Sequence, residues 1–120
     1  MTKAQYAGAL DKLCKKASDG LTPLKLTTDI RTWKENGDQA TKVTREMVTG
    51  FEALTPPKTL RDAAKRHNKA TEQVAAAFQQ AADAAKAGDV GKFSSALTRQ
   101  QNYVILSRTA ASELGALGCA

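Results

Sequence analysis

The chain has few of the residues on which most catalytic and metal sites depend. Its 120 residues include one histidine and two cysteines. The sequence contains no GxSxG, no HExxH, no CxxC and no glycine-rich phosphate loop. Its glutamates do not form the Glu-x-x-His pairs of di-iron bundles. We therefore expect a protein that is not an enzyme and that holds no metal ion.

Aromatic residues and long apolar runs are scarce as well. Aromatic residues make up 5% of the chain, and alanine dominates the 42% that is hydrophobic. No run approaches the roughly 18 consecutive apolar residues of a membrane span, and no segment alternates apolar and polar residues as a strand does. Because alanine is the strongest helix former, this composition predicts an all-α protein without a membrane span. The length suits one domain, 1–120.

Apolar residues recur at spacings of three and four along most of the chain, which predicts four helices. Helix 1 is expected from about Lys3 to Asp19, with Gly20 positioned to end it. Helix 2 has an unbroken three-four repeat from Ile30 to Leu54 that favours one long helix. The repeating positions of helix 2 are Ile30, Trp33, Gly37, Ala40, Thr44, Met47, Phe51 and Leu54.

The start of helix 2 stays open at this point. Asn36-Gly37 is a strong turn signal, so the helix is expected to start either near Thr28, with Thr27 or Thr28 as its cap, or near Asp38. Pro56 and Pro57 are expected to end it.

Helix 3 is expected to begin near Pro57, with Thr59 and Asp62 as a capping box. Gly88 would then end helix 3, and Asp89 would cap helix 4. The repeating positions of helix 3 are Leu60, Ala64, His67, Thr71, Val74, Phe78, Ala81 and Ala85. Those of helix 4 are Val90, Phe93, Leu97, Gln100, Val104, Ser107, Ala111 and Leu114. The short connections predict an antiparallel four-helix bundle.

Cys14 and Cys119, an isolated pair near the two ends, suggest a disulfide and an oxidising compartment. An intermolecular bridge and free thiols are the alternatives. In four equal helices of alternating direction the two residues would lie far apart, whereas a disulfide needs Cα atoms about 4.4 to 6.8 Å apart. The bridge therefore requires helix 1 to lie low in the bundle, with residues 20–30 climbing to the start of helix 2. Those residues span about 35 Å when extended.

The net charge of +6 raises the question of an acidic partner. The densest basic cluster follows helical spacing, and we call it the basic stripe. Its residues are Lys58, Arg61, Lys65 and Lys69. No aromatic residue alternates with them and no nucleic-acid-binding motif accompanies them, so a solvated helix face is favoured over a nucleic-acid site. An acidic protein or an envelope polymer is the other expected partner.

His67 and Met47 fall in the apolar repeats of helices 3 and 2, at similar distances from the Pro56-Pro57 turn. A histidine and a methionine between bundle helices are an axial ligand set for haem b. Methionine is also a common gap filler, and a lone histidine on an apolar face is more often a core residue. No cofactor is therefore expected, with haem the minor alternative.

The order of several short motifs carries a resemblance across nearly the whole chain. These motifs are Tyr6, Leu13-Cys14, Leu54-Thr55-Pro56-Pro57 with Leu60, Ala87-Gly88-Asp89 and Leu117-Gly118-Cys119. The chain resembles small secreted or lipid-anchored helical proteins of actinobacteria. That resemblance implies an extracytoplasmic location and a disulfide, and it implies no activity. The opening residues lack the apolar region of a secretory signal, so an exported chain would need a signal that precedes residue 1.

Two functional hypotheses follow from the sequence. The first is an extracytoplasmic bundle, tied by Cys14 and Cys119, that binds a ligand or an acidic partner. The second is a cytosolic basic protein that associates with nucleic acid through the basic stripe. An apolar pocket beside His67 would favour a ligand binder over a scaffold.

Overall fold

A computed structural model describes all 120 residues, and it is all-helical. The helices are α1 (Lys3–Leu21), α2 (Ile30–Glu52), α3 (Arg61–Ala87) and α4 (Val90–Glu113). Short 3-10 turns lie at Thr22–Leu24, Lys58–Leu60 and Leu117–Cys119. The predicted fold class is confirmed. None of the four helices combines the length and hydropathy that a membrane crossing requires.

The junction between α3 and α4 forms as its residues predict. Gly88 takes a left-handed conformation with φ of 68°, which glycine adopts without steric cost. The Asp89 carboxylate accepts a hydrogen bond from the Lys92 backbone N–H at 3.0 Å and so caps α4. The resulting tight reversal places α4 antiparallel to α3.

Other helix ends differ from the sequence-based expectations. Asp29, rather than Thr27 or Thr28, caps α2 by accepting from the Arg31 N–H at 2.9 Å. The expected capping box of Thr59 and Asp62 does not form, because the chain enters α3 through the 3-10 turn at Lys58–Leu60. The helix α2 ends at Glu52, four residues before Pro56, so the prolines lie in the connection and do not terminate the helix.

Two glycines that look like helix breakers instead permit close helix packing. A Cβ at Gly37 would lie 2.6 Å from the Ala82 Cβ, so α2 and α3 approach more closely than any larger residue allows. This contact explains why α2 runs through the Asn36-Gly37 signal. Gly20 does not end α1, because the helix continues through it to Leu21. A Cβ added at Gly20 would lie 3.1 Å from Val43 Cγ1, so this glycine also lies close against α2.

The first helix lies low in the bundle, as the disulfide constraint predicts. We call the end with the Pro56-Pro57 turn the lower end. Leu13 faces Gly50 near the end of α2, and Gly20 faces Val43 near its middle, so α1 covers the lower half of α2. Residues 22–29, which we call the climbing segment, cover the upper half of α2.

The climbing segment is held to α2 by two side-chain hydrogen bonds. Asn36 Nδ2 donates to the Leu24 carbonyl at 3.1 Å, and Trp33 Nε1 donates to the Thr27 carbonyl at 2.9 Å. The Cys14–Cys119 disulfide, with a Cα–Cα distance of 5.4 Å, ties α1 to the terminal turn. The structure therefore contains the expected disulfide within one chain, rather than an intermolecular bridge or free thiols.

The buried apolar residues form two clusters, one at each end. In the upper cluster the Trp33 ring meets Phe78 and Phe93 edge-on, at centroid distances of 5.1 and 6.3 Å. The lower cluster is centred on Tyr6 and Phe51. Alanines on α3 line both clusters, so its neighbouring helices pack closely at each end.

Candidate functional site

A cavity of about 730 Å³ lies between the two clusters. All four helices, the climbing segment and the terminal turn contribute to its walls, and half of the lining residues are hydrophobic. Phe51 and His67 lie at its lower end, and Phe78 and Leu97 at its upper end. Its volume falls within the range of about 300 to 1,000 Å³ that is typical of small-molecule sites.

The cavity exists because one side of the bundle is loosely packed. The helix α1 packs against α2 and the terminal turn, and α4 packs against α3, but α1 and α4 form no comparable interface. Ala17 and Ser18 of α1 face Val104 and Ser107 of α4 across the gap. These side chains are too small to fill it, so the cavity opens between the two helices.

Polar residues at the core positions of the predicted helices converge on this cavity. The polar residues from the repeating positions of helices 2, 3 and 4 that line it are Thr44, His67, Thr71, Gln100 and Ser107. The hydroxyls of Thr44 and Thr71 donate to carbonyls of their own helices at 2.9 and 3.0 Å, which leaves their oxygens as acceptors. The sequence shows polar residues at core positions of three helices, but only the fold shows that they meet at one cavity.

His67 is the most unusual of these residues. It is 0% exposed, and its ring lies 4.8 Å from that of Phe51, centroid to centroid. Neither Nδ1 nor Nε2 has a hydrogen-bond partner. Burial lowers the pKa of His67 to about 4, so the imidazole is neutral at pH 7, with one nitrogen that donates and one that accepts.

Other buried polar atoms without partners are the Tyr6 hydroxyl and the Asn68 Oδ1. Desolvation raises the pKa of Tyr6, which lies within the lower cluster. Neither residue lines the cavity. Of the three residues with unpaired buried atoms, His67 is therefore the one that belongs to the wall of the cavity.

Met47, the other residue predicted with His67, lines the same cavity. Phe51, one turn further along α2, is the residue that contacts the imidazole ring. The structure thus brings the two predicted residues to one site. No group of three or more His, Cys, Asp or Glu side chains converges in a way that could hold a metal ion.

Two cations, Lys25 and Arg108, lie at the solvent-exposed rim of the cavity. Neither takes part in an ion pair. No Asp or Glu side chain lines the cavity. No sequence pattern points to either cation, because they belong to different elements and only the path of the climbing segment brings Lys25 to the rim.

The disulfide belongs to the wall of the cavity as well as to the fold. Cys14 and Cys119 both line its lower part, together with Gly118 and Ala120. The Gly118 N–H donates to the Asp11 carboxylate at 2.9 Å, which adds a second tie between the terminal turn and α1. The cavity is therefore closed on this side by the same contacts that hold α1 in place.

The basic stripe lies away from the cavity. Lys58, Arg61, Lys65 and Lys69 are all exposed, and none forms an ion pair. The neighbouring Arg66 differs, because its guanidinium contacts the Glu113 carboxylate at 2.7 Å and lowers the pKa of that carboxyl. The structure leaves the stripe as an unpaired, solvent-facing surface.

The comparisons with known proteins return no relative. No protein-family model matches the chain, and no curated protein or solved structure matches it significantly. The geometry and chemistry of the cavity are therefore the ground for a functional proposal.

Proposed function

We propose that this protein is an extracytoplasmic binding protein that holds a small amphipathic molecule in the cavity beside His67. The observation that carries the proposal is a fully buried, unpaired imidazole in the wall of a cavity of about 730 Å³, half of whose lining residues are hydrophobic. A few polar groups in a mostly apolar concavity are typical of small-molecule sites.

The unpaired imidazole has an energetic consequence for the empty protein. A buried polar group without a hydrogen-bond partner costs about 1 to 3 kcal/mol. Because neutral His67 both donates and accepts, a hydroxyl of a bound molecule that reaches the ring can pair with either nitrogen, whereas a carbonyl can accept only from the ring N–H. Binding thereby recovers free energy that folding alone does not.

The disulfide supports the extracytoplasmic part of the proposal. Disulfides form and persist in oxidising compartments, whereas cytosolic thiols usually stay reduced. Cys14 and Cys119 are 105 residues apart, so their bridge constrains almost the whole chain. A protein whose cavity wall depends on this bridge fits a compartment that maintains it.

Access to the cavity follows from the loose side of the bundle. A ligand enters between α1 and α4 and buries its apolar part against residues such as Val74 and Val104. The proposed role is binding and transfer of the molecule, because the walls hold no nucleophile paired with a base.

A matched pair of substitutions tests this proposal. In Ser107→Phe a ring fills the cavity from α4, while Leu106→Phe adds a similar ring on the exposed face of the same helix. We expect the wild type and Leu106→Phe to enhance the fluorescence of N-phenyl-1-naphthylamine, and Ser107→Phe to lose most of that enhancement. Circular dichroism checks that both variants fold. Equal binding by all three proteins, or no binding by the wild type, would overturn the proposal.

Haem b is a second candidate ligand, because His67 and Met47 line one cavity and the His67 nitrogens are unpaired. A neutral imidazole and a thioether are the residues that would hold the iron, which would supply redox chemistry. Titration with haemin would then give a Soret band that His67→Ala removes and Met47→Leu shifts. A spectrum equal to that of free haemin would exclude this candidate.

A further inference from the structure

We infer that the ligand of the cavity carries an acidic group, a carboxylate or a phosphate, that lies at the rim beside Lys25 or Arg108, with its apolar part inside. This inference rests on the proposed function and names the class of molecule. It concerns charge at the rim, which the proposal itself leaves unspecified.

The first observation is the charge of the cavity wall. The chain contains 12 Asp and Glu residues, but none of their side chains lines the cavity, whereas Lys25 and Arg108 do. Both charged side chains of the wall are therefore positive, and a low-dielectric wall strengthens their effect on a charged ligand. An anionic group is favoured there and a cationic group is disfavoured.

The second observation is that the two cations are unpaired. The ion pairs of the chain use Lys15, Arg31, Arg66 and Lys86. Like most of the chain's 18 cations, Lys25 and Arg108 donate to no carboxylate of the protein, and both are free to contact a ligand. Guanidinium groups match both carboxylate and phosphate oxygens in a two-point contact, which is why the inference covers both acids.

The backbone at Lys25 is a third observation. Lys25 is the one residue other than glycine with a positive φ, 50°, and its N–H donates to the Thr22 carbonyl at 3.3 Å. Lysine rarely takes this left-handed conformation, and such strained residues concentrate at functional sites. The conformation gives the climbing segment the turn that carries Lys25 to the rim.

The orientation of the ligand follows from desolvation. A charged group at the fully buried lower end, beside His67, would lose its hydration, which is costly without a charged partner. At the rim the acid keeps contact with water and meets Lys25 or Arg108. From His67 to Phe78 the cavity follows eleven residues of α3, about 16 Å, which suits the length of an extended alkyl chain.

The test compares four molecules that share a twelve-carbon chain. Dodecanoic acid, dodecyl phosphate, methyl dodecanoate and dodecyltrimethylammonium compete with N-phenyl-1-naphthylamine, below their critical micelle concentrations. We expect one or both acids to bind about two- to five-fold more tightly than the ester, as one partly exposed charge contact allows, and the cation to bind weakest. The comparison of the two acids shows whether a carboxylate or a phosphate is preferred.

Substitutions assign the preference to the rim. In Lys25→Ala/Arg108→Ala we expect the acids to bind no more tightly than the ester, while affinity for the ester is kept. The control Lys34→Ala/Arg61→Ala removes the same charge from exposed positions outside the cavity and should keep the preference.

The outcomes separate this inference from the proposed function. If the wild type binds the acids and the ester equally, or the control loses the preference as fully as the rim variant, the inference is wrong while the cavity remains a binding site. If the wild type binds neither the probe nor any of the four molecules, the proposed function fails first.

Discussion

At the scale of the residue, His67 links the stability of the fold to the proposed function. Its imidazole is buried and unpaired, and burial lowers its pKa to about 4 from an ordinary value near 6.5. Periodicity predicted that His67 would face the core. The absence of any partner for its nitrogens depends on what α1 and α4 place opposite it, which no local pattern encodes.

The single histidine makes the pH dependence of stability assignable. The unfolded chain binds a proton near pH 6.5 and the folded chain near pH 4, so the free energy of unfolding falls as the pH drops between these values. We expect the free energy of unfolding of the wild type, measured by urea denaturation, to fall by about 2 kcal/mol between pH 7 and pH 5. His67→Phe should show little of this loss. An equal loss in both proteins would mean that the folded state does not lower the pKa of His67.

The close packing of α2 against α3 at Gly37 leads to a second prediction at the scale of the residue, a loss of stability on substitution. In Gly37→Ala the new Cβ would lie 2.6 Å from the Ala82 Cβ and force α2 away from α3. We expect a loss of about 1 to 3 kcal/mol in thermal or chemical denaturation. The control Gly8→Ala, where a Cβ meets nothing within 4 Å, should be neutral or stabilising by up to about 1 kcal/mol. If the two substitutions had the same effect, close approach would not explain Gly37.

At the scale of the element, the helices themselves were predictable and their ends less so. The three-four repeats located all four helices, and Gly88-Asp89 located the α3–α4 reversal. The caps at Asp29 and the 3-10 turn before α3 were missed, because several nearby residues can cap and tertiary contacts select among them. Val90 was also predicted to face the core, but it is 64% exposed because α4 begins there, beyond the end of the upper cluster.

The disulfide is the contact that holds α1 as an element of the cavity. We expect Cys14→Ser/Cys119→Ser to be less stable by up to about 4 to 5 kcal/mol in the chain-entropy model. Because both cysteines line the cavity, the variant should also bind the fluorescent probe more weakly. Denaturation curves and probe titrations under non-reducing conditions measure the two effects. Unchanged stability would contradict a structural role for the bridge.

At the scale of the whole molecule, the cavity and the basic stripe are separate surfaces. The cavity opens between α1 and α4, while the stripe lies on the outer, lower part of α3 and on the turn before it. Charge composition predicted the stripe correctly as an exposed face. It carried no information on Lys25 and Arg108, which line one cavity only because of the fold.

Removal of the stripe tests the nucleic-acid hypothesis directly. In the variant Lys58→Ala/Arg61→Ala/Lys65→Ala/Lys69→Ala we expect unchanged affinity for the fluorescent probe, because the stripe is remote from the cavity. We expect no difference from the wild type in the gel mobility of duplex DNA at about 0.1 M salt. Salt-sensitive retardation by the wild type that the variant lacks would favour the nucleic-acid hypothesis over the proposed function.

The sequence by itself determined the all-α class, the four helical repeats and the constraint that the two cysteines place on α1, because helix periodicity is local and the reach of a disulfide is short. The tertiary structure decided that Thr44, His67, Thr71, Gln100 and Ser107 surround one cavity. It also decided that Lys25 and Arg108 lie at its rim. Both results depend on the gap between α1 and α4, which arises from contacts between distant parts of the chain and leaves no periodic pattern in the sequence.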